Sequence, residues 1–66
     1  MVWEYKWDEW FLYDDDDILR AHVYYESAPE YWCWLVFDLE GNVKDRGKEL
    51  RTAEIAKLNV KRSILF

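Results

Sequence analysis

Residues 18–38, "ILRAHVYYESAPEYWCWLVFD", decide the fold. Across 18–26 the chain alternates: Leu19, Ala21, Val23 and Tyr25 fall on one side, Arg20, His22, Tyr24 and Glu26 on the other. A period of two with β-branched and aromatic residues is the mark of a half-buried strand. "SAPE" at 27–30 reads as a turn, with Pro29 unable to donate a ladder hydrogen bond. "YWCWLVFD" at 31–38 is nearly continuously apolar, as expected of a central strand packed on both faces.

The neighbouring segments extend this hairpin. In "VWEYKW" (2–7), Val2, Glu4 and Lys6 alternate with Trp3, Tyr5 and Trp7, a strand pattern again. Asp8 and Glu9 either turn the chain into a second short strand, "WFLY" at 10–13, or lie within one long bent strand ending at Tyr13. The aspartate run at 14–17 breaks regular structure, because Asp is depleted in strands and favours turns. "LEGN" (39–42) suits a hairpin turn, since Gly41 and Asn42 tolerate positive φ. "VKDRGKEL" (43–50) is polar enough for an edge strand guarded by lysines. Thr52 reads as a helix N-cap with Glu54 near the positive helix start. From Ala53 to about Leu65, Ile55, Ala56, Val60 and Ile64 mark an apolar side, with Leu58 and Leu65 at its margins and Lys57, Lys61 and Arg62 outward. The expected architecture is one α+β domain over 1–66: an antiparallel meander of three to five strands with a C-terminal helix on one face.

Sixty-six residues make a small core; such a domain buries only ~60% of its unfolded surface. Cys33, the single cysteine, closes no internal disulfide, and one histidine with one cysteine makes no structural zinc set. Large side chains are the remaining means: five Trp, five Tyr and three Phe, each able to bury ~150–250 Å². The opening "MVWEYKW" lacks the basic and apolar regions of a signal peptide, and no apolar run suits a membrane span. With one free thiol, the expected location is the cytoplasm.

The net charge of −5 is unevenly spread. Residues 1–40 hold eleven carboxylates against Lys6 and Arg20, whereas 41–66 hold seven bases against Asp45, Glu49 and Glu54. Solubility alone does not require such segregation, which points to an interaction surface. A calcium loop is not expected. Counting from Asp14, the fifth, sixth and twelfth positions are Ile18, Leu19 and Tyr25, where an EF-hand needs oxygen ligands and a glycine. His22 and Glu26 share a strand face but stand ~13 Å apart, too far for a dyad. Cys33 between Trp32 and Trp34 reads as a buried structural thiol, and no nucleophile, P-loop or dinucleotide motif occurs. No catalysis, metal or cofactor is expected.

Nucleic acid itself is disfavoured as a ligand. The protein is acidic, and the basic residues Lys44, Arg46, Lys48, Arg51, Lys57, Lys61 and Arg62 have no interleaved aromatics. An acidic surface can instead imitate nucleic acid. Carboxylates on alternate strand residues stand ~6.6–6.8 Å apart. If the first strands lie side by side, Glu4, Asp8, Glu9, Asp14, Asp15, Asp16, Asp17, Glu26 and Glu30 form the expected partner-binding array. In size, aromatic content, "DDDD" and acidic first forty residues, the chain resembles the small acidic DNA-mimic inhibitors of phages and mobile elements, including anti-CRISPR proteins. That class shares no fold, so the resemblance carries over no individual residue. It implies a stoichiometric inhibitor, monomeric or homodimeric, that occupies the basic DNA-binding surface of a bacterial defence complex such as a CRISPR effector. The alternative is a small accessory or dimerisation module that binds a partner protein through exposed aromatics.

Overall fold

In the computed structural model, which describes residues 1–27 and 30–65, five strands follow one another as an antiparallel meander. They are β1 (Val2–Lys6), β2 (Glu9–Tyr13), β3 (Leu19–Ser27), β4 (Glu30–Phe37) and β5 (Val43–Leu50), in spatial order β1-β2-β3-β4-β5. A single helix, α1 (Ala53–Leu65), packs against one face, mainly over β4, β5 and β3. The fold is therefore α+β, as expected. Of the anticipated turn at 27–30, residues 28 and 29 lie outside the described residues; its flanks, Ser27 and Glu30, are paired.

Alternation sorts side chains between the two faces. Leu12, Ala21, Val23, Trp34 and Val36 point at the helix and are buried against Ala53, Ala56 and Val60. Trp3, Trp10, Trp32, Leu50 and Ile64 close the margins of this core. Val23, Val36 and Val60 are completely buried, each contributing about 1.5–3 kcal/mol. Trp34 fits because Gly47 lies opposite it on β5. A Cβ at that position would collide with the indole, 2.8 Å from Cζ2.

The other sheet face is open: among the described residues, no element packs on it. The expectation that β4 is packed on both faces is therefore corrected. One 13-residue helix covers one face, and on the other, large side chains shield the sheet by lying across one another. Phe11 stacks on His22 at 4.6 Å and His22 on Tyr24 at 4.9 Å. Cys33, opposite Tyr24, is 2% exposed there.

The chain turns between β1 and β2, so the two-strand reading holds, but the corner is at Trp7 and Asp8 (φ 53° and 61°) rather than at Asp8 and Glu9. Positive φ at both positions is the type I′ hairpin turn, whose backbone twist matches that of the flanking strands. Thr52 caps α1 as expected, its Oγ1 accepting from Ile55 N–H at 3.1 Å. Two helix positions differ from expectation. Ile55 is 42% exposed, because the buried stripe runs through Ala53, Ala56 and Val60, where small residues let the helix approach the sheet. Lys57 does not point outward: its Nζ lies 3.0 Å from the centre of the Trp10 ring and 5.4 Å from that of Trp3. The long apolar stem covers the aromatics while the ammonium meets their electron-rich faces.

Candidate functional site: an acidic end built from two matched loops

Asp14, Asp15, Asp16 and Asp17 form the loop between β2 and β3, and residues 38–42 form the loop between β4 and β5. Their backbones are built alike. In the first, Asp14 N–H donates to Ile18 O (3.1 Å) and Asp17 N–H to Asp14 O (3.0 Å). In the second, Asp38 N–H donates to Asn42 O (2.9 Å) and Gly41 N–H to Asp38 O (3.1 Å). In each, the leading aspartate turns its carboxylate over the loop. Asp14 Oδ1 accepts from the N–H groups of Asp16 and Ile18 at 2.9 and 3.0 Å. Asp38 Oδ1 accepts from those of Glu40 and Asn42 at 3.0 and 2.9 Å. The fourth residue takes positive φ, 60° at Asp17 and 87° at Gly41. Asp and Gly are among the residues that tolerate this region best.

These bonds make two carboxyls more acidic. The N–H of Ile18, then that of Asp16 and the charge of Arg20, hold the Asp14 carboxyl below its ordinary 3.8. The N–H of Asn42, then that of Glu40, do the same for Asp38. Arg20 joins the two loops. Its Nη1 lies 3.7 Å from Asp14 Oδ2, and its Nε donates to the Phe37 carbonyl at 3.5 Å, next to Asp38. The end of the sheet so formed carries Asp14, Asp15, Asp16, Asp17, Asp38 and Glu40 on its two loops, with Arg20 between the loops. The carboxylates of Asp14 and Asp38 are occupied by the loops, and Asp15, Asp16, Asp17 and Glu40 are exposed.

The expected nine-residue array separates into three places. Glu4 joins the aspartates, sharing with Val2, Lys6, Tyr13, Asp14 and Asp17 the rim of one shallow hollow. Glu9 and Glu26 lie on the open face. Glu9 Oε1 accepts from His22 Nε2 at 3.0 Å, so the partner of His22 comes from the neighbouring strand rather than from Glu26. Glu26 stands beside Tyr31 and Cys33. Asp8 and Glu30 occupy the far end of the sheet, where Asp8 accepts from the Tyr5 hydroxyl at 3.2 Å and so pushes the pKa of that phenol up. β1, β2 and β3 do lie side by side, but a meander sends alternate loops to opposite ends.

Three features escaped the sequence reading. Asp38 and Glu40 belong to the acidic end, and the repeated spacing of "DDDDI" and "DLEGN" was the signal that could have shown it. Trp7 is the third: 78% exposed, at left-handed φ, with Phe11 edge-on at 6.3 Å and Lys6 Nζ 5.1 Å above its ring. A bulky side chain in that backbone region is strained.

Burial first, then the charge of Glu26, pushes the Cys33 thiol up, against formation of a thiolate. His22 is held between two rings with its Nε2 on Glu9. Among the described residues, no three His, Cys, Asp or Glu side chains gather closely enough for a metal ion, and no helix is long and apolar enough to cross a membrane. No family model, curated relative or solved structure matches the chain.

Proposed function

We propose that the protein is a non-enzymatic inhibitor whose acidic end enters the basic nucleic-acid-binding surface of another protein and blocks nucleic acid from it. The observation that carries this reading is the convergence of Asp15, Asp16, Asp17 and Glu40 on one end, with Glu4 beside them. Two hairpin loops closed by their own hydrogen bonds fix the backbone that carries Asp15, Asp16, Asp17 and Glu40, so little backbone ordering opposes docking. A concentrated negative end steers towards a positive groove, raising the association rate and making affinity fall with salt. The target class is a DNA-binding bacterial defence complex such as a CRISPR effector, and the site of action is the cytoplasm of the host cell.

A tagged pull-down from bacterial lysate, eluted with a salt gradient and read by mass spectrometry, tests the reading. The expected partner is a basic nucleic-acid-binding protein leaving at moderate salt and lost by the quadruple variant Asp15→Asn, Asp16→Asn, Asp17→Asn, Glu40→Gln. A second reading is favoured by Trp7, whose strain and exposure suit an anchor that a partner pocket covers. In that case the partner survives high salt and the quadruple variant, and Trp7→Ala releases it.

A further inference from the structure

The two edges of the sheet are protected differently. β5 carries exposed Lys44, Arg46 and Lys48 and is irregular, with register breaks against β4 and Glu49 at φ 65°. Charge and bulges of this kind keep an edge from pairing with another chain. β1 has no bulge, its register with β2 being unbroken from Val2 to Lys6, and Glu4 is the one exposed charge along it. Its one lysine is turned inward, donating to the Tyr13 hydroxyl at 3.2 Å and lying 5.2 Å above the Phe11 ring. Among the described residues, nothing pairs with the outer edge of β1.

The hairpin turn determines which groups that edge presents. Across a two-residue turn, Lys6 and Glu9 exchange backbone hydrogen bonds, so Val2, Glu4 and Lys6 face β2. The N–H and C=O of Trp3 and Tyr5 point outward. Beside them, between β1 and α1, runs an apolar groove of about 530 Å³ whose lining includes Met1, Trp3, Leu12, Leu58, Ile64 and Leu65. Met1 is 56%, Leu58 49% and Leu65 72% exposed.

We propose that this edge and groove bind a second copy of the chain, β1 pairing antiparallel with β1 of its twin about a two-fold axis at Glu4. In that register Trp3 of each copy lies opposite Tyr5 of the other, and all the outward backbone groups of both residues are engaged. Centring on Tyr5 would set Trp3 against Trp7, whose backbone has left the strand; centring on Trp3 would require Met1, which lies outside β1. Antiparallel pairing also sends the two acidic ends apart, which matters for a chain of net charge −5. A stable interface takes about 800 Å² per partner, more than a five-residue strand supplies, so the groove residues belong to the contact. Glu4 meets Glu4 across the axis, each with Lys6 of its own copy 3.6 Å away. The result is a continuous ten-stranded sheet with an acidic end at each extremity.

Sedimentation equilibrium of the full chain from micromolar to millimolar concentration tests this. A reversible dimer is expected, weakened about tenfold by Leu58→Glu at an exposed position and tightened several-fold by Glu4→Gln, which removes the like-charge pair. Hydrogen exchange on the unmodified protein should show the Trp3 and Tyr5 amides gaining protection as concentration rises, a readout independent of whether any variant folds. A monomer throughout the range overturns the proposal. So does a dimer whose Trp3 and Tyr5 amides exchange as in the monomer, or one that Glu4→Gln weakens. Loss of the inhibitor target in a pull-down leaves these readouts untouched.

Discussion

The loops at 14–18 and 38–42 share a backbone but hardly a sequence: "DDDDI" against "DLEGN". What they have in common is an aspartate in first place, whose side chain accepts two backbone N–H groups, and a residue in fourth place that tolerates positive φ. The second and third positions are free, occupied by Asp15 and Asp16 in one loop and by Leu39 and Glu40 in the other. The fold therefore uses the carboxylate of Asp14, asks at position 17 only for a residue that tolerates positive φ, and asks nothing of positions 15 and 16. Four adjacent carboxylates repel one another, and the loop geometry explains only Asp14 and Asp17. Asp15 and Asp16 remain as a property of the surface, consistent with a partner that wants negative charge.

The comparison can be broken most severely at its first position. Asp14→Ala and Asp38→Ala should each lower the melting temperature followed by near-ultraviolet circular dichroism, Asp14→Ala more because it also releases Arg20. The Asn variants, which keep the accepting oxygen, should lose less. Next comes the fourth position. Gly41→Ala should cost about 1 kcal/mol in urea unfolding, the strain of a left-handed alanine. Asp17→Gly should raise stability by less than about 1 kcal/mol, since glycine takes that conformation without a Cβ clash; equal effects of the two changes would show that the loops are not equivalent.

Acid acts on both loops together. The carboxyls of Asp14 and Asp38 are depressed in the folded protein relative to 3.8. Their contribution is complete above that value and is lost as pH falls through the lowered folded values, because the unfolded chain then binds the protons more readily. A pH series should show this acid-labile step shrinking in Asp14→Asn. The smallest stability effect belongs to the middle positions. Asp15→Asn and Asp16→Asn should stay within about 0.5 kcal/mol of the parent, while weakening binding to a basic partner and flattening its salt dependence.

How far the molecule could be read before its structure varies by region. The alternation in 18–26 gave the strand, its buried face and the hairpin with β4, because a period of two leaves little choice once one face must be apolar. Thr52 announced the helix start through the same local chemistry that caps it. Lys57 was misread because its aromatic partners Trp10 and Trp3 lie more than forty residues upstream, and helical periodicity assigns every lysine to water. The corner at Trp7 and Asp8 was displaced by one residue because neither carries the turn signature of Asn or Gly. The acidic surface was legible as an excess of charge, but not as a site. Asp38 and Glu40 were missing from it, and Glu9, Glu26, Asp8 and Glu30 lie elsewhere.

The sequence by itself determined what depends on near neighbours: the strands, the capped helix and the aspartates' preference for a loop. Tertiary structure alone decided which charges meet. Successive loops of a meander leave from opposite ends of the sheet, so carboxylates close in sequence part while residues 14–17 and 38–40 come together across β3 and β4. It also decided which edge stays open, since Lys6 guards β1 only until the rings of Phe11 and Tyr13 draw it inward. The physical reason is one of range: backbone preference and hydrophobic period act over a few residues, whereas charge and aromatic contacts follow strand order.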